Sequence, residues 1–279
     1  MLFRSVGVDK AVHLTDPSGR SDLVLARMAT SSCPVCHSPP VWSPSGQLLG
    51  FTKPLGKSSF QATFLEPMSG RSKGWSKSGE SFIGWIDSER YLESNGPYNP
   101  FIVSVDGGRR WKVNNSSSQF EFIAPAPPHS PGRFIGMYYD SKKITDVIAF
   151  FHKDLSVGRP VWIERRGAAP GQPQSQVSPR VDPLGQYVAW TLWRKSRPYI
   201  AYKGVNELSS APPSLLGDQY SSAYFCDWTE QADLLANVKD KAKWKLVILR
   251  RDGTLSRELG TDVPPAEGVV ASWRKYEHR

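Results

Sequence analysis

The sequence predicts an all-β chain: a six-bladed β-propeller of four-stranded antiparallel blades, its last blade closed by strands from the N- and C-terminal ends. Three observations carry this expectation. A hairpin phrase, a bulky residue followed by a Pro/Ser/Gly turn, recurs along the chain. Its copies are spaced by about one propeller blade. The two ends of the chain read as halves of one further copy. Composition agrees: 23 glycines, 23 prolines and 10 tryptophans in 279 residues suit short strands joined by tight turns, and 39% hydrophobic content supports a sizeable core. The chain is expected to be a single propeller domain over residues 1–279.

The first copy is Val41-Trp42-Ser43-Pro44-Ser45-Gly46-Gln47-Leu48-Leu49-Gly50-Phe51, and the second is Gly74-Trp75-Ser76-Lys77-Ser78-Gly79-Glu80-Ser81-Phe82-Ile83-Gly84-Trp85. Ser130-Pro131-Gly132-Arg133-Phe134-Ile135 fits the frame after His129 with one residue fewer. Val181-Asp182-Pro183-Leu184-Gly185-Gln186-Tyr187 fits without a gap, and Trp228-Thr229-Glu230-Gln231-Ala232-Asp233-Leu234 fits with Ala232 in place of the glycine. In each copy a short strand ends at the bulky residue, the turn supplies a left-handed backbone position, and a mostly apolar strand returns. A third strand then runs into an acidic-glycine turn, as in Phe101–Gly107 and Leu246–Gly253, with Phe64–Gly70 a looser version.

Taking Trp42, Trp75, His129, Val181, Trp228 and Trp273 as equivalent anchors, the intervals are 33, 54, 52, 47 and 45 residues, and 48 from Trp273 round to Trp42. Their mean of about 46 falls in the range of a four-stranded blade. After Trp273 the phrase stops. The N-terminus resumes it, with Leu2 to Val8 as the second strand of a shared blade, Ala11 to Gly19 as the third strand and its turn, and Asp22 to Arg27 as the fourth strand. Such sharing removes an exposed sheet edge.

These phrases carry a family resemblance. The Trp-Ser-Pro-x-Gly hairpin, an apolar strand and then Asp-x-x-Gly resemble the repeat of TolB-like six-bladed propellers, which also occurs in the propeller domains of prolyl-oligopeptidase-like peptidases. The resemblance covers essentially the whole chain and implies the fold; the family shares no single chemistry. The peptidases of that group carry an α/β-hydrolase domain with a strand-to-helix nucleophile elbow, and no counterpart of that domain is expected here: the one Gly-x-Ser-x-Gly pattern, Gly70-Arg71-Ser72-Lys73-Gly74, falls within the blade repeat.

Cys33-Pro34-Val35-Cys36-His37 is the sharpest local motif. Cys-x-x-Cys-His is the attachment pattern of a c-type haem. The same residues would give a zinc ion three ligands, with Cys226 the only other cysteine to complete a set of four. On the propeller frame Cys33, Cys36 and His37 lie in the loop entering the first blade, and Cys226 is placed at the matching entrance of the fifth. The alternative is a surface loop with reduced thiols and Cys226 buried as a small apolar residue. No cofactor is expected on balance; zinc or c-type haem are the alternatives.

Thirty-five Lys+Arg against 26 Asp+Glu give a formal charge of +9, which favours an acidic partner surface. Basic residues mix with aromatics in Arg109-Arg110-Trp111-Lys112, Trp193-Arg194-Lys195-Ser196-Arg197, Lys241-Ala242-Lys243-Trp244-Lys245 and Trp273-Arg274-Lys275-Tyr276, a composition that also suits nucleic acid. No catalytic residues are assigned: five histidines show no Ser/His/Asp or His-Glu-x-x-His pattern. The expectation is a non-catalytic, protein-binding scaffold that uses channel-mouth loops, with Trp42, Trp75, His129 and Trp228 as partner anchors. Packing between blades is the other role open to the tryptophans. No run of about 18 apolar residues offers a membrane span. The N-terminus lacks the apolar run of a secretory signal, so the expected compartment is cytoplasmic, or periplasmic for a chain trimmed at a cleavage site.

Overall fold

The structure is a computed structural model that describes residues 2–6, 11–15, 22–27, 40–54, 60–66, 69, 71–73, 79–94, 100–113, 118–165, 178–194, 197–261 and 271–273. The chain opens with β1 (Leu2–Val6), β2 (Ala11–Thr15) and β3 (Asp22–Arg27). Five four-stranded antiparallel blades then follow one another in sequence. The first holds β4 (Val41–Trp42), β5 (Leu49–Pro54), β6 (Phe60–Glu66) and β7 (Arg71–Lys73), and the second β8 (Ser81–Trp85), β9 (Arg90–Ser94), β10 (Pro100–Ser104) and β11 (Arg110–Lys112). The third holds β12 (Ser118–Pro125), β13 (Phe134–Asp140), β14 (Thr145–Phe151) and β15 (Val157–Arg165). The fourth is β16 (Arg180–Val181), β17 (Tyr187–Arg194), β18 (Arg197–Gly204) and β19 (Ser214–Leu216); the fifth is β20 (Ser222–Trp228), β21 (Leu234–Asp240), β22 (Lys243–Leu249) and β23 (Leu255–Thr261). Last comes β24 (Ala271–Trp273), which pairs with β1 in a terminal sheet of order β24-β1-β2-β3, with Phe3 opposite Ser272. The chain is therefore an all-β propeller of four-stranded antiparallel blades.

Because side chains alternate across a strand, each blade buries residues on both faces against its neighbours. Phe64, Phe82, Trp85, Tyr91 and Val103 fill the seam between the first and second blades. Leu92, Phe120, Phe134 and Phe151 fill the next, and Phe122, Ile148, Phe150 and Trp190 the seam between the third and fourth. Ala189, Ile200, Phe225, Trp228 and Val247 fill that between the fourth and fifth. In the first seam the Phe64 ring lies 4.5 Å from Tyr91 and 5.3 Å from Trp85, tilted contacts worth about 0.5–1.5 kcal/mol each beyond area burial. Inner strands run so close that a Cβ on Gly84 would stand 1.8 Å from the carbonyl oxygen of Ile123 in the next blade.

One staple recurs between blades. Trp85 Nε1 donates to the carbonyl of Val41 at 2.7 Å, and Trp228 Nε1 donates to that of Arg180 at 3.0 Å. Alongside, the hydroxyl of Thr52 accepts the Phe82 N–H at 3.0 Å, and that of Thr191 accepts the Phe225 N–H at 3.0 Å. Both sets join the inner strand of one blade to the first two strands of the blade before it.

The staple corrects the expected register of the second blade. Residues 81–85 were expected as the returning strand of a hairpin that Trp75 begins; they form instead the first strand, β8, with Trp85 opposite Tyr91 as Trp42 is opposite Leu49. Trp85 is thus the anchor. The misleading turn at Gly79 precedes the blade, and the true turn, Ile86 to Arg90, has neither glycine nor proline. Asp87 holds it, accepting from the Glu89 N–H at 3.0 Å and from Arg90 at 2.6 Å. In the third blade the position of Trp42 falls to Pro125, opposite Phe134, and His129 sits within the longer turn closed by the Ala126 N–H on the Arg133 carbonyl.

Candidate binding site on the turn face

The turns joining first to second and third to fourth strands all lie at one end of the blades. Three of the first-to-second turns share one device. Ser43, Asp182 and Thr229, each following its anchor, cap the hairpin with a side-chain oxygen: Ser43 Oγ accepts the Leu48 N–H (3.1 Å), Asp182 Oδ1 those of Gln186 and Tyr187 (2.6 and 2.8 Å), and Thr229 Oγ1 that of Asp233 (3.1 Å). The left-handed turn position falls on Gly46 (φ 72°), Gly185 (φ 71°) and, as its register required, Ala232 (φ 60°).

Between the third and fourth blades these turns border a cleft of about 690 Å³. His129 and Arg159 face it from the third blade, and Gln186, Tyr187, Asn206 and Glu207 from the fourth. Two cations fix the wall formed by residues 204–213. Arg159 donates to the side-chain and backbone oxygens of Asn206, at 3.3 and 2.8 Å. Lys203, 2% exposed, donates its ammonium protons to the carbonyls of Val161 (3.3 Å), Ala211 (2.7 Å) and Leu208. Burial lowers the Lys203 pKa and Glu207 partly opposes that. The carboxylate of Glu207 also accepts the Gly204 N–H at 3.0 Å. The Arg251 guanidinium stacks 5.0 Å from the Tyr187 ring. Next to the lining residues Gly185 and Glu207, both on fourth-blade turns, Leu184 (58% exposed) and Leu208 (74%) present apolar side chains to solvent. Such an arrangement offers a preformed groove with guanidinium, amide and aromatic groups on its walls and apolar contacts on its rim.

A second polar cluster lies buried between the first and second blades. Glu80 and Glu93, both almost fully buried, share Arg110: one nitrogen meets Glu80 and stands 3.2 Å from Glu93. Tyr91 donates to Glu93 at 3.1 Å, and the guanidinium lies 3.8 Å from the Phe101 ring. Burial and then the charge of Glu80 push the Glu93 pKa up to about 7, against the pull of Arg110. Burial, with the Glu93 charge, pushes the Tyr91 phenol far above its usual range. Glu93 can therefore hold a proton near neutral pH, its carboxyl buried in the seam while Arg110 reaches the surface. The signal that would have found it is a glutamate at the apolar-facing register of Tyr91-Leu92-Glu93; Lys203 stands in the same way in Ala201-Tyr202-Lys203.

The expected site residues that the structure describes fall in three blades: Trp42 in the first, His129 in the third, and Cys226 and Trp228 in the fifth. Trp42 and Trp228 are buried, at 7% and 4% exposure, Trp228 by way of its bond to Arg180, so neither presents its ring as a partner anchor. His129 is exposed in the turn and faces the cleft. Cys226 lies within β20, 1% exposed, rather than in a loop entering the blade. Cys33, Cys36, His37 and Trp75 lie outside the described residues. Among the described residues no group of three His, Cys, Asp or Glu side chains would hold a metal ion, and no helix is long and apolar enough to cross a membrane.

No protein-family model and no curated protein matches the sequence. Solved structures do match the fold. TolB from Acinetobacter baumannii superposes with a TM-score of 0.61 at 12% identity, over 96% of this chain and 64% of TolB, so the chain spans a little under two thirds of that protein. Oligogalacturonate lyase in complex with manganese gives 0.52 at 9% identity, over 95% of this chain and 73% of the lyase. The β-propeller domain of Cps50 (Swd1) from Myceliophteria thermophila gives 0.50 at 12% identity, over 96% and 85%. The class is thereby fixed: the chain has the β-propeller fold that TolB also has, as the hairpin phrases implied. One of these neighbours is an enzyme and another a propeller domain of a larger protein, so the likeness is one of fold.

Proposed function

We propose that this protein is a non-catalytic binding propeller that takes a protein partner on its turn face, in the cleft between the third and fourth blades. The observation that carries the reading is the preformed cleft itself, whose wall is held by Lys203 and Arg159 and whose rim exposes Leu184 and Leu208. Rigid sheets that carry shaped turns suit recognition, and exposed leucines beside arginine and tyrosine are the composition of an interface core. Arg159 and Arg251 favour a partner with acidic groups. His129 keeps its expected role as a contact residue; the burial of Trp42 and Trp228 moves the contact from the channel mouth to the seam between blades.

On the same reading residues 1–279 form one domain, and the terminal sheet is its sixth blade, closing the ring. Support comes from β24, which packs on β20 and β21 of the fifth blade. Asn237 adds to it: it occupies in β21 the register position of Thr52 and Thr191, is fully buried, and has no partner for its amide among the described residues. An amide there is suited to the staple that those threonines make.

The test is cross-linking and affinity capture from the native host with the wild type and with the double variant Leu184→Glu, Leu208→Glu, whose exposed positions leave folding intact. A stoichiometric partner captured by the wild type and lost from the variant is the expected result. The same proteins recovered with both would overturn the reading.

A further inference from the structure

We infer that the opposite end of the fourth and fifth blades is a binding site for single-stranded nucleic acid. Two of the basic-aromatic segments, separated by some 45 residues in sequence, meet there. Trp193, near the C-terminal end of β17, lies 5.9 Å from Tyr224 in β20 with the rings nearly perpendicular. Tyr224 in turn lies 5.9 Å from Trp244, beside the turn between β21 and β22. The three rings form a row across the seam, and Trp193 and Trp244 keep part of their surface in solvent.

Cations border the row. Lys239 stands 5.9 Å from the centre of the Trp244 ring. Lys241 and Lys243 are exposed, and neither has an acidic partner among the described residues. Lys241 holds its place at φ 55°, a conformation in which glycine or asparagine is the ordinary choice. The nearby acids are already engaged: Asp240 and Glu258 with Lys245, at 3.0 and 3.2 Å, and Glu164 with Arg194. The surplus is therefore positive where the rings are exposed.

Aromatic faces beside lysines that lack counter-charges match the chemistry of an unpaired strand, whose bases stack on rings while its phosphates meet ammonium groups. A duplex hides its base faces and would use the lysines alone. An acidic protein would have no need of the ring row. The site lies at the far end of the strands from the turn-face cleft, so it stands independently of the protein-binding reading.

Fluorescence anisotropy with labelled 20-nucleotide dT and U strands and a 20-base-pair duplex tests the inference, at salt from 50 to 200 mM. The single strands should bind more tightly than the duplex, with a log K against log salt slope of roughly −1.4 to −2 for two or three phosphate contacts. The double variant Lys241→Gln, Lys243→Gln should flatten the slope by roughly 1.4. Trp244→Leu should weaken binding about tenfold while leaving the slope unchanged; Trp193→Leu supplies the same test should Trp244→Leu disturb the fold by circular dichroism. Each of four results would overturn the inference: no single-strand binding at 50 mM salt, equal affinity for the duplex, binding untouched by the variants, or phosphatidylserine vesicles that retain the protein through the same lysines as strongly as the strands do.

Discussion

A buried glutamate in a β-propeller seam is a costly choice, and Glu93 shows what compensates it. Arg110 lies 3.2 Å away, Tyr91 donates to it, and Glu80 shares the same guanidinium. The compensation is incomplete because two carboxyls meet one cation, and burial with the neighbouring charge raises the pKa of Glu93 from its usual 4.5 to about 7. Between those values the folded protein holds more protons than the unfolded chain, so stability falls as pH rises through that window and levels off above it. Melting temperatures from pH 4.5 to 8 should show this decline in the wild type and a shallower one in Glu93→Gln; equal slopes would remove Glu93 as the cause. At this scale the sequence was partly legible. Trp42, Val181 and Trp228 stand at equivalent turns, as their phrases implied, because a capping serine, aspartate or threonine marks each turn, joined by proline and glycine in the first two. Trp85 does not stand out in the sequence beside Trp75, because its own turn relies on the Asp87 side chain and lacks those marks. Glu80 and Glu93 were passed over because a charged residue in an extended segment reads as solvent-facing until the register is known.

Elements explain why the turn-face cleft is shaped. The turn after β18 runs from Gly204 to Pro213 and presents Asn206, Glu207 and Leu208, yet its interior carbonyls converge on one ammonium group, that of Lys203. With Arg159 from β15 of the preceding blade, Lys203 ties the turn across the seam. Lys203→Met keeps the volume and removes the donors, leaving carbonyls of Val161, Leu208 and Ala211 without them. The expected cost is about 1–3 kcal/mol, read as a lower melting temperature together with faster amide hydrogen exchange confined to residues 204–213. Unchanged exchange there would show that the turn holds its shape without the lysine. The order of the hairpins is legible in the sequence because each is local, and the register of the second blade is the exception. The cleft was not, because Arg159 and Asn206 belong to different blades and meet only once the blades pack side by side. Cys226 shows the same limit: its distance from Trp228 was read correctly, but the strand extends through Trp228, which places the thiol in the packed interior of β20.

For the molecule as a whole, the blades keep two surfaces apart. Turns between first and second and between third and fourth strands carry the cleft, while those between second and third strands carry the row of Trp193, Tyr224 and Trp244 with its lysines. Rigid seams between them, closed by indole and threonine bonds, mean that a change on one face is poorly transmitted to the other, so variants of the two sites should act additively. The complementarity of the chain ends was legible in the sequence and has its counterpart in the pairing of β1 with β24. Ring closure through that pairing is the claim on which a rigid, two-faced platform depends. A direct measurement places Phe3→Cys and Ser272→Cys, which face each other in register, in a background of Cys33→Ser, Cys36→Ser and Cys226→Ala. Mild oxidation should join the two thiols within one chain and raise the melting temperature, since by loop entropy a link closing so long a loop is worth about 5 kcal/mol, and reductant should reverse the gain. Thiols that stay free, with the melting temperature unmoved, would contradict the closed ring.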